Sequence, residues 1–230
     1  MPLIDHFHPP LSDRRHWHAF HNSWATYVSS QLNALLPEGY FAEANVQYGI
    51  EIDVATFEES DIASLVSSYT PPQPDSSIPL NLSGSIVEVG IFSRSGGPTL
   101  SAAIELVSPA NKYRAGHRDA LTTKCVTYLQ AGVGLILVDV VTDRTADLHA
   151  ELLTRLGSTP TATVTPLFAA AYRPVERDGQ TTLDIWHESL IVGQSLPTLP
   201  LWLRGGYCVP IDFEASYMRT CNEQRIQPAA

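Results

Sequence analysis

Two acidic residues lie inside apolar segments, where an ionised side chain is unexpected. Glu105 lies within the stretch AAIELV, and Asp53 lies within YGIEIDVATF, two residues after Glu51. Burying a carboxylate without a cation, a metal or hydrogen-bond donors is costly. Carboxylates from adjacent strands can converge on Mg²⁺, which prefers oxygen ligands and retains several waters. The pattern predicts that Asp53 and Glu105 hold Mg²⁺ or Mn²⁺, a metal able to polarise a phosphodiester and activate a water.

The two lysines of the chain support the same chemistry. Lys112 and Lys124 lie twelve residues apart, and the other twelve basic residues are arginines. A lysine ammonium is a compact cation that can orient a water or stabilise phosphoryl charge. Lys124 shares a predicted helical face with His117 and Tyr128. Either lysine could therefore complete a catalytic site with the two acids.

Other interpretations of these residues stay open. Because the faces of a strand alternate, Glu105 could point to solvent. In a structural protein without a metal, it could instead pair with Arg114 or Arg118. His18 and His21 could share a metal, but no acidic residue or cysteine is spaced to complete a tetrahedral site. The sequence favours capping or arm contacts for these histidines.

Composition limits the classes of partner. The chain has 230 residues and a net charge of −10, which argues against a protein that coats nucleic-acid phosphates with basic residues. A local nucleic-acid site remains compatible with this charge. No apolar run approaches the roughly 18 residues of a membrane span, and no signal peptide is recognisable. Three widely spaced cysteines indicate neither a disulfide framework nor a zinc site. We expect a soluble cytoplasmic protein.

Hydrophobic periodicity in the first half predicts helix followed by strands. Apolar residues recur at steps of three and four from Trp17 to Leu36, which predicts a helix that Pro37 ends. Residues 40–57 favour strands because β-branched residues alternate there. Residues 60–85 are rich in serine and proline and are predicted to be a long loop or an insertion. Residues 86–107 predict a β-hairpin.

The second half alternates helices and strands. A helix is expected from about Gly116 to Ala131, a buried strand at residues 133–141 and a helix at residues 146–156. Asp139 is expected at the end of that strand, in solvent or paired with Arg144. Two more strands follow, and then a helix capped by Asp212.

These elements predict one α/β domain. Residues 1–157 would form its core, including the insertion at about 60–85. Residues 158–230 would pack on the same domain, where they could extend the sheet, cover its edge or form the face of a homodimer.

Several motifs taken together resemble a known fold family. The segment SPANK follows the Glu105 strand, and HRD, K-x-x-x-Y and GVGLILVDVV come after it. With WHAFHNSWATYVSSQLNALLP and IEIDVATF upstream, they resemble an uncharacterised bacterial family with the restriction-endonuclease-like, PD-(D/E)xK nuclease fold. The resemblance covers most of residues 14–157 and, more loosely, LPTLPLW and VPIDFEASY. It implies an α/β fold with a mixed central sheet flanked by helices, an αβββαβ core and a C-terminal strand and helix extension.

The resemblance also implies roles for the candidate residues. Asp53 would be the first acid, with Ile52 where that motif often has proline, and Glu105 would be the second acid. Val107 stands where the motif has lysine. Related families with an E-V-L-S-P segment show the same gap and use a lysine from the following helix, which favours Lys124 over its competitor Lys112.

The implied activity is metal-dependent phosphodiester hydrolysis with Mg²⁺ or Mn²⁺, and the implied partner is nucleic acid bound at a local site. If neither lysine reaches the acids, the alternative is a catalytically inactive nuclease-fold module for interaction or oligomerisation.

Overall fold

The computed structural model describes residues 2–48, 50–58, 67–80, 98–160 and 166–227. The helices are α1 Trp17–Asn33, α2 Pro109–Tyr113, α3 Ala115–Gln130, α4 Leu148–Arg155 and α5 Phe213–Glu223. The strands are β1 Tyr40–Tyr48, β2 Ile50–Glu58, β3 Ser76–Pro79, β4 Thr99–Leu106, β5 Gly134–Asp139, β6 Phe168–Arg177, β7 Gln180–Ser189, β8 Thr198–Trp202 and β9 Cys208–Asp212. No helix within these ranges is long and apolar enough to cross a membrane.

Seven of the strands form one mixed sheet. Their order is β1-β2-β4-β5-β6-β7-β3. Strands β4 and β5 run parallel, and the other neighbours in the described part of the sheet are antiparallel. The chain passes from β4 to β5 through α2 and α3, because parallel neighbours need a crossover connection. Every residue of β5 is buried, as its continuous apolar sequence predicts.

Helices cover both faces of this sheet. On one face, α1, α5 and the β8–β9 hairpin form a core with aromatic side chains that include Phe20, Trp24, Phe213 and Tyr217. On the other face, α3 and α4 contribute Leu121, Leu129 and Leu152 to a second core. Helices α1 and α3 therefore lie on opposite sides of β2 and β4, and both reach the start of β2 and the end of β4, which lie side by side because these strands are antiparallel.

The coarse fold expected from the sequence is confirmed: the chain is α/β, with a mixed central sheet flanked by helices. The sheet is mostly antiparallel, since β4–β5 is the one parallel pair among the described strands. Asp212 caps α5 by accepting a hydrogen bond from the Ala215 amide at 2.9 Å, as predicted. Strands β6 and β7 extend the sheet beyond β5, which is one of the three roles considered for residues 158–230.

Several strands differ from the sequence expectation. Residues 76–79, expected in a loop or insertion, form the edge strand β3 against β7. The β8–β9 hairpin is not predicted by the sequence, because prolines weaken the strand pattern; Pro200 and Pro210 face each other across it and donate no backbone hydrogen bond. The second strand of the hairpin predicted at residues 86–107 is β4. Its first strand lies outside the described residues.

A close approach between two strands makes Gly134 irreplaceable. A Cβ atom there would lie 1.9 Å from the carbonyl oxygen of Trp202. We expect Gly134→Ala to lower the free energy of unfolding by about 1–3 kcal/mol or more, because the backbone of β8 would have to move. Urea denaturation measures the change.

Gly116→Ala is the matched control. Gly116 lies in α3, and a Cβ atom added to it would have no neighbour within 4 Å. The added methyl group should therefore raise stability by up to about 1 kcal/mol or leave it unchanged. Equal stability of the two alanine variants would contradict the packing described here.

Candidate functional site

A pocket of about 200 Å³ opens between α1 and α3, where β2 begins and β4 ends. Five separate elements or their flanking residues contribute to it, so its shape depends on the tertiary fold. Its lining consists mostly of polar and ionisable side chains: Trp17, His18, His21, Asn22, Glu51, Asp53, Glu105, Leu106, Ser108, Asn111 and Lys124. Three of the four side chains predicted to be catalytic, Asp53, Glu105 and Lys124, line this one pocket.

The Glu105 carboxylate forms an ion pair with Lys124. The Lys124 Nζ lies 2.6 Å from Glu105 Oε2 and also donates to the carbonyl oxygen of Glu51 at 3.0 Å. Glu105 is 3% exposed, so the interpretation that it points to solvent is wrong. Its second oxygen, Oε1, is buried and has no hydrogen-bond partner among the described residues. That oxygen keeps its capacity to accept a hydrogen bond or bind a cation.

Asp53 reaches the same pocket through an irregularity in β2. Ile52 packs in the core beneath α3, whereas Val54 packs in the core beneath α1, so the usual alternation of the strand changes at Asp53. The facing position in β1 is Asn45, which has a positive φ of 55°, a conformation that asparagine tolerates. The Asp53 carboxylate accepts a hydrogen bond from the Leu106 amide at 2.8 Å. This bond fixes it at the end of β4, next to Glu105.

His21 is a residue of this site that the sequence interpretation missed. Its Nε2 donates to the carbonyl oxygen of Leu106 at 2.8 Å and lies 3.5 Å from Asp53 Oδ2. These contacts replace the capping or arm contacts that the sequence favours for it. The available signal is periodicity, because His21 falls at the buried face of α1 together with Trp17 and Trp24.

Burial and neighbouring charges shift the protonation of these groups. Burial raises the pKa of Glu105 to about 8, the Asp53 charge adds to this, and Lys124 partly offsets it, so the ion pair with Lys124 forms as the pH rises through this range. Burial alone would lower the pKa of Lys124, but the Glu105 carboxylate outweighs it and the net shift is upward. Burial would likewise lower the pKa of His21, yet Asp53 and the Leu106 carbonyl raise it to about 9. His21 is therefore a cation at neutral pH.

Of the residues expected to share a helical face with Lys124, Tyr128 lies near the site. Its hydroxyl is buried and lies close enough to the Glu105 carboxyl to interact with it. Burial and the Glu105 charge raise the pKa of Tyr128, so the phenol stays neutral. His117 points elsewhere, with Nδ1 at 2.9 Å from the Ala110 carbonyl oxygen.

Lys112 does not line the pocket, and its expected role as competitor of Lys124 is not supported by its position. Its Nζ lies 2.8 Å from Asp139 Oδ2, and both side chains are fully buried. The expectation that Asp139 meets solvent or pairs with Arg144 is wrong, because Arg144 pairs with Asp143. Burial raises the pKa of Asp139 to about 6, although Lys112 opposes this shift.

The expected pairing of Glu105 with an arginine is also wrong. Arg118 forms an ion pair with Glu151 at 2.7 Å. The guanidinium of Arg114 lies over the ring of Tyr113. The cation beside Glu105 is Lys124, and not Arg114 or Arg118.

The donor set limits the kind of metal that this pocket could hold. Within the described ranges, no group of three or more His, Cys, Asp or Glu side chains is arranged to hold a metal ion. That excludes a closed cage of protein side chains in this part of the chain. Mg²⁺ commonly binds through one or two carboxylates and keeps several waters. Asp53 and Glu105, with Oε1 unpartnered, fit such a water-rich site.

Comparisons with known proteins give no match for this chain among family models, curated proteins or solved structures.

Replacing Glu105 with glutamine should change how stability depends on pH. The stabilising effect of a protonated Glu105 is complete below its ordinary pKa of 4.5 and is lost as the pH rises through about 8. Glu105→Gln keeps a neutral side chain at every pH. Its free energy of unfolding relative to the native sequence should rise by more than about 1 kcal/mol between pH 5 and pH 9, since each pKa unit corresponds to about 1.4 kcal/mol.

Urea denaturation at several pH values tests this. Glu38→Gln, at an exposed position outside the pocket, is the control and should run parallel to the native protein. A difference between native and Glu105→Gln that stays constant from pH 5 to pH 9 would contradict the assigned protonation.

Removing Lys112 should destabilise the fold because it leaves Asp139 buried without its cation. We expect Lys112→Met to cost about 3–5 kcal/mol of unfolding free energy. The double variant Lys112→Met, Asp139→Asn should recover part of this loss, since it removes the unpaired charge. If both variants unfold at the same denaturant concentration as the native protein, the buried ion pair is not important for stability.

Proposed function

We propose that this protein is a metal-dependent phosphodiester hydrolase with a nuclease-like, PD-(D/E)xK type of site. The observation that carries the proposal is the convergence of Asp53, Glu105 and Lys124 on one pocket. These residues come from β2, β4 and α3, and residue type and local sequence alone indicate all three as candidates.

The arrangement of elements supports the same proposal. The order α1, β1, β2, β4, α3, β5 is consistent with the αβββαβ core that the resemblance implies, with β3 lying apart at the other edge of the sheet. Val107 replaces the lysine of the usual motif, and α3 supplies Lys124 instead. Its 2.6 Å contact with Glu105 is what a lysine from the following helix would be expected to make.

Asp53 and Glu105 are the residues that would hold Mg²⁺ or Mn²⁺. When bound, such a metal polarises the phosphoryl group and lowers the pKa of a coordinated water. Asp53 is held in place by the Leu106 amide and by His21. His21 also fixes the Leu106 carbonyl, so the backbone next to Glu105 is constrained as well.

Lys124 has the capacity to act on the substrate. An ammonium group has three donors, and two of them are directed to Glu105 Oε2 and to the Glu51 carbonyl. The third can donate to an attacking water or to a phosphoryl oxygen. Its positive charge stabilises the negative charge that develops on the phosphoryl group in the transition state.

One observation favours a second candidate, a catalytically inactive module of the same fold. Each carboxylate already has a cation beside it, Lys124 at Glu105 and His21 at Asp53. The negative charge that would attract a metal is therefore largely compensated within the protein. In this alternative the pair Glu105–Lys124 stabilises the joint between α3 and the sheet, and the protein serves interaction or oligomerisation.

A cleavage assay separates the two candidates. Purified protein is incubated with single-stranded and double-stranded DNA and RNA in Mg²⁺ or Mn²⁺. The proposal expects cleavage, and it expects Asp53→Asn, Glu105→Gln and Lys124→Met each to lower the rate by at least about 100-fold, the loss typical of removing one group that stabilises the transition state.

Glu38→Gln is the control and should cleave at the native rate, and circular dichroism verifies that the variants fold. Absence of cleavage by the native protein on all four substrates would favour the inactive module. So would a residual cleavage that Asp53→Asn leaves unchanged, because that activity would belong to a contaminant.

A further inference from the structure

We propose that a second recess, at the opposite end of β5 from Glu105, binds a small ligand bearing a phosphate group. The recess has a volume of about 430 Å³. It lies between the start of β5, the middle of β6 and the end of β8. Its lining includes two arginines, one acid, one tryptophan and several glycines, among them Gly132, Arg173, Glu176, Trp202, Arg204 and Gly206.

Arg173 is held in a fixed orientation in this recess. Its guanidinium carbon lies 3.5 Å from the centre of the Trp202 ring, a cation–π contact that holds the group against the indole. Burial lowers the pKa of Arg173, and the neighbouring Arg177 adds to this, while the Asp184 charge opposes it. The guanidinium nevertheless stays charged, because its ordinary pKa is far above neutral.

Neither arginine of the recess forms an ion pair with an acidic residue that the structure describes. The ion pairs among the described residues do not include Arg173 or Arg204. Asp184 influences Arg173 from a distance, but its two oxygens are bonded to Arg177 at 2.6 Å and 2.5 Å. The recess therefore holds two arginines and one acid, Glu176, a local excess of positive charge in a protein of net charge −10.

Two glycines of the recess lie beside the arginine side chains. A Cβ on Gly206 would lie 3.8 Å from a terminal nitrogen of Arg173, and a Cβ on Gly132 would lie 3.9 Å from Nε of Arg204. Both glycines have positive φ, 93° and 74°, so larger residues are disfavoured there. Arg204 is exposed and Arg173 is partly exposed, so a ligand can approach both side chains.

The chemistry of the recess selects the class of ligand. A guanidinium presents parallel N–H donors that match the oxygens of phosphate or carboxylate. A phosphate monoester carries about −1.5 to −2 charges at pH 7, which balances two guanidinium groups better than a carboxylate does. Glu176 is the acid at the same recess, so a neutral residue there should strengthen anion binding.

Calorimetric titration with inorganic phosphate and with phenyl phosphate tests this proposal. EDTA is present throughout, so that phosphate held by a metal at Asp53 and Glu105 does not contribute, and sodium chloride is kept constant. The native protein should bind both phosphates. Arg204→Gln, at an exposed position, should weaken binding at least tenfold, and Glu176→Gln should tighten it.

Arg14→Gln is the matched control, because it removes one exposed arginine of the N-terminal segment and changes the net charge equally. It should bind phosphate within twofold of the native protein. Absence of phosphate binding by the native protein would overturn the proposal, and so would equal binding by Arg204→Gln. Acetate that binds as tightly as phosphate would also contradict the assigned ligand class.

Discussion

The buried carboxylate of Glu105 is the constraint on which the site depends. A carboxylate inside an apolar strand needs a cation or hydrogen-bond donors, and Lys124 supplies both at 2.6 Å. Because Lys124 also donates to the Glu51 carbonyl, a single ammonium joins α3 to both β2 and β4. Any sequence change that moves α3 would expose or unpair Glu105. The position of the helix and the protonation of the site are therefore linked.

The other half of the site is built from the opposite face of the sheet. His21 on α1 contacts the Leu106 carbonyl and lies beside Asp53, and Asp53 turns out of the regular alternation of β2. Side chains from two helices that cover opposite faces thus converge at one point, where β2 begins and β4 ends. This arrangement places two acids and two cations around a pocket of about 200 Å³. A hydrolase requires that a metal ion can bind among these charges. An inactive module requires only that Lys124 and His21 stay paired with the two acids.

The sequence predicts the parts of this site that carry a local signal. Asp53 and Glu105 can be found because an acid in an apolar strand is conspicuous, and Lys124 because the chain has two lysines. His21 cannot be assigned in this way, since its partner Leu106 is 85 positions away and depends on which helix covers which face. The contact between Lys112 and Asp139 cannot be predicted from the sequence for the same reason. Its distance depends on how α2 packs against the end of β5, which no spacing along the chain reveals.

Secondary structure is predictable to a similar extent. The helices α1, α3, α4 and α5 follow from apolar periodicity and caps, and β5 follows from its continuous apolar run. The strands β3, β8 and β9 contain prolines, which weaken any strand pattern, and they are stabilised by partners rather than by local propensity. The recess at Arg173 and Arg204 depends on β8, so sequence patterns alone do not indicate it.

Titration of Mn²⁺ into the native protein, Asp53→Asn, Glu105→Gln and Glu38→Gln by calorimetry tests the central claim most directly. We expect one binding event in the native protein and in Glu38→Gln, weakened at least about tenfold when either pocket acid loses its charge. No heat of binding in the native protein, or equal affinity in all four proteins, would contradict it.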